Sequence, residues 1–152
     1  ISILEAGAKR LHLSNVQACL RDAAAPHPTY AGMFDAVLAD VPCSGLGIIR
    51  KKPDIRYKDA TEVAALPALQ QKILQAAARA VRPGGVLVYS TCTILREENE
   101  LMVEAFLREH SEFQLEPFAL PEPIGQTNGT RTLLPHEFQT DGFFISKLRR
   151  MA

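Results

Sequence analysis

The sequence predicts an α/β domain built on a parallel strand pair, and two observations carry that prediction. The first is a pair of short apolar runs, residues 34–40 (Phe-Asp-Ala-Val-Leu-Ala-Asp) and residues 86–92 (Val-Leu-Val-Tyr-Ser-Thr-Cys). Nearly continuous apolar runs of this length suit parallel strands covered on both faces. The second is the stretch between them, about residues 62–81, where Leu66, Leu69, Ile73, Ala77 and Ala80 recur at helical spacing. Strand, crossover helix and strand together make the unit from which parallel sheets are built.

The remaining elements follow in chain order. Residues 1–13 read as a helix and residues 16–20 as a short strand, with Cys19 in mid-strand as a packing residue. Arg82-Pro83-Gly84-Gly85 stops the crossover helix, because proline and glycine end helices and open turns. Residues 97–109 read as a second helix with Leu101, Met102, Ala105 and Phe106 on one stripe. Its acidic start, Glu97 and Glu98, suits the positive end of a helix dipole. Residues 113–129, rich in proline and glycine, read as a short strand plus loop, and residues 142–148 as a final strand. With no repeat, linker or low-complexity tract, residues 1–152 read as one domain.

Composition narrows the function classes. Seventeen basic residues balance seventeen acidic ones, so no global field draws nucleic acid and any such affinity must be local. No apolar run is long enough to span a bilayer, and no basic-then-apolar leader opens the sequence. Three cysteines without a CxxC pair argue against a disulfide framework and a zinc site. His12, His27, His110 and His136 fall at no metal-ligand spacing, so no metal is expected. A cytoplasmic location is the expectation.

Chemistry concentrates at two strand ends: Asp40-Val-Pro-Cys-Ser-Gly45 and Tyr89-Ser-Thr-Cys-Thr93. Ligands of open parallel sheets bind beyond the carboxyl ends of the strands. Neighbouring strands would therefore bring Asp40, Cys43 and Cys92 to one rim, although the two cysteines stand 49 residues apart.

These two motifs, with Pro83-Gly84-Gly85 leading the second strand, resemble the RNA 5-methylcytosine methyltransferases, and within them the bacterial Sun/RsmB (Fmu) group that modifies 16S ribosomal RNA. Arg50-Lys-Lys-Pro-Asp-Ile-Arg56 resembles that group's segment after the first motif, Glu97-Glu-Asn99 its helix start, and Thr140-Asp-Gly-Phe-Phe144 its closing strand. The likeness spans roughly residues 1–150, and five motifs in order carry it.

The resemblance implies a Rossmann-like class I methyltransferase fold and a covalent mechanism. Cytosine C5 is a poor nucleophile until a thiolate adds to C6 and makes C5 enamine-like, able to accept a methyl group from a sulfonium donor. The family pattern makes Cys92 the nucleophile and gives Cys43 the release of the methylated base. S-adenosylmethionine is the implied cofactor, held in part by Asp22, Asp40 and Pro42. Asp40 stands at the junction of cofactor and base, and Pro42 stiffens the loop beside Cys43. RNA is the implied partner. Arg50, Lys51, Lys52, Arg56 and Lys58 oppose only Asp54, a local net charge of +4. Tyr57 lies among them, so phosphate neutralisation and base stacking are both available.

Plainer readings stand beside these. Asp40 could cap the turn after its strand, Asp22 could be a surface turn residue, and the basic run could be a solvated face. The same chemistry on transfer RNA, or a non-catalytic RNA-binding scaffold, are the rival functions; both cysteines standing in motif speak against the scaffold. The family's Gly-rich loop and ribose-binding acid do not occur in this sequence. The expectation is therefore the C-terminal part of the sheet without its first two strands, binding cofactor weakly by itself and prone to self-association through open apolar edges.

Overall fold

The computed structural model describes all 152 residues. The chain runs α1 (Ser2–Arg10), β1 (Phe34–Asp40), α2 (Ala60–Ala80), β2 (Val81–Thr91), α3 (Glu100–Glu109), β3 (Phe113–Leu115), β4 (Ala119–Leu120), β5 (Gly125–Gln126), β6 (Thr130–Leu133), α4 (Pro135–Phe138) and β7 (Phe143–Arg150), with three short 3-10 turns between α1 and α2. The main sheet has the order β1-β2-β7-β3, with β6 pairing on β7 beside β3. β1 and β2 are parallel, from Ala36 opposite Val86 to Asp40 opposite Ser90. β7 lies antiparallel to β2, β3 and β6. β4 and β5 form a separate two-stranded hairpin.

The crossover is as the sequence predicts, with sharper ends. Asp59 caps α2, its carboxylate accepting the Thr61 amide at 2.7 Å. α2 ends at Ala80, one residue short of the expected limit. Arg82–Gly85 is part of β2: Val81 pairs with Phe34, and the register then slips so that Val86 meets Ala36. Gly84 absorbs the bulge at φ +74°, a region that costs residues with a Cβ.

α2 and α3 pack on one sheet face. Ile73, Leu74 and Ala78 of α2 and Met102, Val103 and Phe106 of α3 form one core with Leu87, Tyr89, Phe144 and Leu148 of the sheet. Burial in β2 consequently alternates: Leu87, Tyr89 and Thr91 are buried while Val86, Val88 and Ser90 are only partly so. This corrects the expectation of strands covered on both faces.

Two further expectations are corrected. Residues 16–20 form no strand, since no neighbouring strand offers a ladder. Cys19 in that segment is exposed rather than packed. The second helix begins at Glu100 rather than Glu97, because Glu98 and Asn99 are buried in the preceding turn and bonded into the core rather than set on the first turn of a helix.

Candidate active site

The carboxyl ends of β1 and β2 are adjacent, and the loops leaving them meet. The Cys43 and Cys92 sulfurs lie 3.2 Å apart, and the Cys92 amide donates to the Cys43 sulfur at 3.3 Å. Both side chains are half-buried. Burial, followed by the hydrogen bond to Cys92, pushes the Cys43 thiol up to about 12. Cys43 therefore keeps its proton at neutral pH and can donate it toward the Cys92 sulfur. Asp40, three residues before Cys43, is exposed at the same rim and accepts the Ser90 hydroxyl at 3.0 Å.

A polar network fixes this geometry from beneath. Ser44 and Thr93, the residues after the two cysteines, join hydroxyl to hydroxyl at 2.7 Å, both buried. The Glu98 carboxylate accepts the Ser44 amide at 2.9 Å and the Gln70 amide at 2.7 Å; Gln70 also donates to the Pro42 carbonyl at 2.9 Å. Asn99 donates to the Thr93 carbonyl at 3.0 Å and accepts the Thr91 hydroxyl at 2.6 Å. The Tyr89 hydroxyl donates to the Glu98 carbonyl at 2.7 Å. Gln70, Glu98, Asn99 and Thr93 are all buried, and a buried polar group needs such partners.

Pro42 aside, the sequence marks none of these network residues as a site residue. One signal was present. Gln70 interrupts an apolar helical stripe, four residues after Leu66 and three before Ile73, and a polar side chain there must find a buried partner.

Beyond the first loop, the Gly47 amide donates to the Cys92 carbonyl at 3.0 Å, and the Gly142 amide to the Gly47 carbonyl at 2.8 Å. The Thr140-Asp-Gly-Phe-Phe144 motif thus sits against the cysteine loops. The basic segment divides. Lys51 pairs with Asp141 at 2.5 Å, and Lys58 donates to the Ser44 carbonyl at 2.8 Å. Arg56 donates to the Pro53 carbonyl and lies 5.7 Å from the centre of the Tyr57 ring. Arg50 and Lys52 are exposed, and Tyr57 is 79% exposed, an open face for stacking.

A cavity of about 310 Å³ opens between β1, α2 and the segment of residues 21–30. Asp22 and Asp40 both line it, among Pro26, Val37, Leu38 and Ala77. It lies at the low end of small-molecule sites, roughly 300–1,000 Å³. Its apolar walls with carboxylates at the edge fit the adenosine end of a nucleoside cofactor. Pro42 is outside the cavity lining and exposed, and the two cysteines do not line it. Asp40 is what joins cavity and rim. No group of three or more His, Cys, Asp or Glu side chains is arranged to hold a metal ion, and no helix is long and apolar enough to cross a membrane.

Residues 1–149 match the family described as 16S rRNA methyltransferase RsmB/F. The chain is 41% identical over 158 aligned positions to a probable ribosomal RNA small subunit methyltransferase B of Bacillus subtilis, covering 99% of this chain and 35% of that protein. It is 46% identical over 123 positions to a protein of the same description from a Synechocystis species, covering 78% of this chain and 28% of the relative. The chain thus spans about a third of the length of these relatives. Among solved structures, it is similar to NSun6 from Pyrococcus horikoshii with SFG, at TM-score 0.76 and 33% identity over 98% of this chain and 38% of the other. The architecture is accordingly the Rossmann-like fold of methyltransferases.

Proposed function

The chain belongs to the 16S rRNA methyltransferase RsmB/F family, and from that premise we propose that it carries the catalytic cysteines of an enzyme methylating cytosine C5 in small-subunit ribosomal RNA. One observation carries the reading: two cysteines 49 positions apart in sequence hold their sulfurs 3.2 Å apart at the rim of a parallel strand pair. A structural pair would need no rim position and no open base-stacking surface nearby.

Cys92 is the nucleophile, and its thiolate adds to C6 of the target cytosine. Electron density shifts to C5, which takes the methyl group and would leave the donor sulfonium as a neutral thioether. The C5 proton then passes to solvent, the C5–C6 double bond re-forms, the bond between the Cys92 sulfur and C6 breaks, and the sulfur regains its charge. Cys43 assists this release. A protonated thiol does not attack, and burial keeps the proton on Cys43, which suits it to a role other than nucleophile. S-adenosylmethionine, when bound, supplies an electrophilic methyl group on a sulfonium. Asp22 and Asp40, which line the cavity, would hold it, with Pro42 stiffening the loop alongside. A relative described with SFG supports a nucleoside cofactor of this class. Asp40, exposed at the rim, would also accept a hydrogen bond from the base amino group. Arg50, Lys51, Lys52, Arg56, Tyr57 and Lys58 form the RNA-contacting strip, with Lys51 and Lys58 held by protein partners and Arg50, Lys52 and Tyr57 free to reach outward.

The test uses the full-length protein, unmodified 16S rRNA and S-adenosylmethionine with a labelled methyl group. Cys92→Ser should abolish incorporation, and Cys43→Ser should leave a covalent protein–RNA adduct on a denaturing gel. A non-catalytic RNA-binding scaffold would show neither result.

A further inference from the structure

Two consecutive buried residues each hold one sulfur-bearing loop. Both neighbours of Cys92 bond to Asn99: the Thr91 hydroxyl donates to it and the Thr93 carbonyl accepts from it. Both neighbours of Cys43 are tied to Glu98: the Ser44 amide donates to its carboxylate directly, and the Pro42 carbonyl is reached through Gln70. The turn carrying the pair is closed by the Glu98 amide on the Leu95 carbonyl and the Asn99 amide on the Arg96 carbonyl. It is anchored to the sheet by the Tyr89 hydroxyl. Glu98 and Asn99 are 1% and 0% exposed and touch neither the cavity nor solvent.

We infer that Glu98 and Asn99 are positioning residues that set the spacing of the two sulfurs, Glu98 for the Cys43 step and Asn99 for the Cys92 step. The division of labour rests on the function proposed above; the spacing itself does not. Each of the two side chains bonds directly to only one loop, so although the Ser44–Thr93 hydroxyl pair still links the loops, loss of either side chain displaces chiefly its own loop and weighs unequally on the two chemical steps. A mere contribution to core stability would slow both steps together.

The probe for spacing is phenylarsine oxide, which bridges two close thiols with loss of one water, read by intact-mass spectrometry on the full-length protein. Cys19 is exposed and distant from the pair in sequence, so it reports general thiol reactivity through a monothiol alkylating agent. The parent should be bridged once. Glu98→Ala and Asn99→Asp should be bridged about tenfold more slowly, as loss of hydrogen bonds to a buried charged or amide group predicts. Glu98→Gln, which keeps an acceptor for Ser44 and Gln70, should restore the parent rate. With 16S rRNA, Asn99→Asp should slow adduct formation, whereas Glu98→Ala should form adduct normally and release it slowly. If Glu98→Ala does not fold, Gln70→Met, which removes both donors, is read in its place. Folded variants bridged at the parent rate would overturn the inference, as would equal slowing of adduct formation and release in both. A parent that is bridged by the arsenical but neither methylates 16S rRNA nor, as Cys43→Ser, accumulates an RNA adduct would sink the proposed function and leave the spacing role to be judged by the bridging rates.

Discussion

Gly47 and Gly142 approach so closely that a Cβ built on Gly47 would lie 2.0 Å from the Gly142 carbonyl oxygen, and one on Gly142 would lie 2.7 Å from the Gly47 Cα. The contact is backbone against backbone, so no side-chain rotation can relieve it. It also carries the hydrogen bond from Gly142 to Gly47, one step from the Cys92 carbonyl. Gly47→Ala should therefore force the loops apart, costing about 1–3 kcal/mol as overpacking does. At about 2–4 °C per kcal/mol for a chain of this size, a thermal melt resolves it. Methylation should fall further than stability, because the displaced Gly47 amide is the donor that holds the Cys92 carbonyl.

Cys43 gives a pH prediction. Its thiol ionises near 12 in the folded chain against an ordinary value of 9.0. Below about pH 9 both folded and unfolded chains hold the proton, and this group's contribution to stability is fully present. Above that the unfolded chain ionises first, and the contribution is lost as pH rises toward 12. Urea unfolding between pH 8 and 11 should show the parent losing stability faster than Cys43→Ala. Alkylation of Cys43 in the folded protein should also stay slow until strongly alkaline pH.

Gln70 supports Glu98 from α2. Gln70→Leu has nearly the right volume but leaves the Pro42 carbonyl without its Gln70 donor and the Glu98 carboxylate with the Ser44 amide alone. The expected loss is about 1–3 kcal/mol, measured as a shift in the denaturation midpoint with unchanged slope.

The basic segment should divide experimentally as it does structurally. Lys52 is exposed and without an ion-pair partner, whereas Lys51 pairs with Asp141. Lys52→Ala should weaken RNA binding and lower the salt slope by about one. Tyr57→Ala should weaken binding by about 1–3 kcal/mol for one lost stack and leave the slope unchanged. Fluorescence anisotropy with the full-length protein at several salt concentrations separates the two.

Glu116 marks the opposite end of the sheet. Arg149 first, then Lys147, holds its carboxyl down to about 2. That stabilisation is present above about pH 4.5 and lost as pH falls toward 2. Glu116→Gln should melt lower than the parent at pH 6, with the two curves converging in acid and in high salt.

The crossover and the meeting of Cys43 with Cys92 were legible because they follow from period and position: an apolar helix between two apolar runs can return the chain only to a parallel neighbour. The basic segment was legible as charge and as a surface. What escaped was the support beneath the site. Glu98 looked like a helix-dipole residue because sequence shows its sign and place but not its burial, and the turn that inserts it is fixed by Tyr89 and Ser44, nine and 54 positions away. Residues 16–20 have strand composition, but a strand exists only where another completes its ladder. The alternation of burial in β2 was hidden for the same reason: Val86 and Val88 are as apolar as Leu87, and only the packing of α2 and α3 decides which face closes.

β7 occupies the centre of the sheet's hydrogen bonding, pairing with β2, β3 and β6, yet it is made after all three. During synthesis the parallel pair and its helix can form early, but β3 and β6 have nothing to dock on until residues 143–150 emerge. Closure of this sheet is therefore a terminal event rather than a progressive one. A ribosome stalled before Phe143 would hold a chain with its cysteine loops made and the Gly142 side of those loops still open.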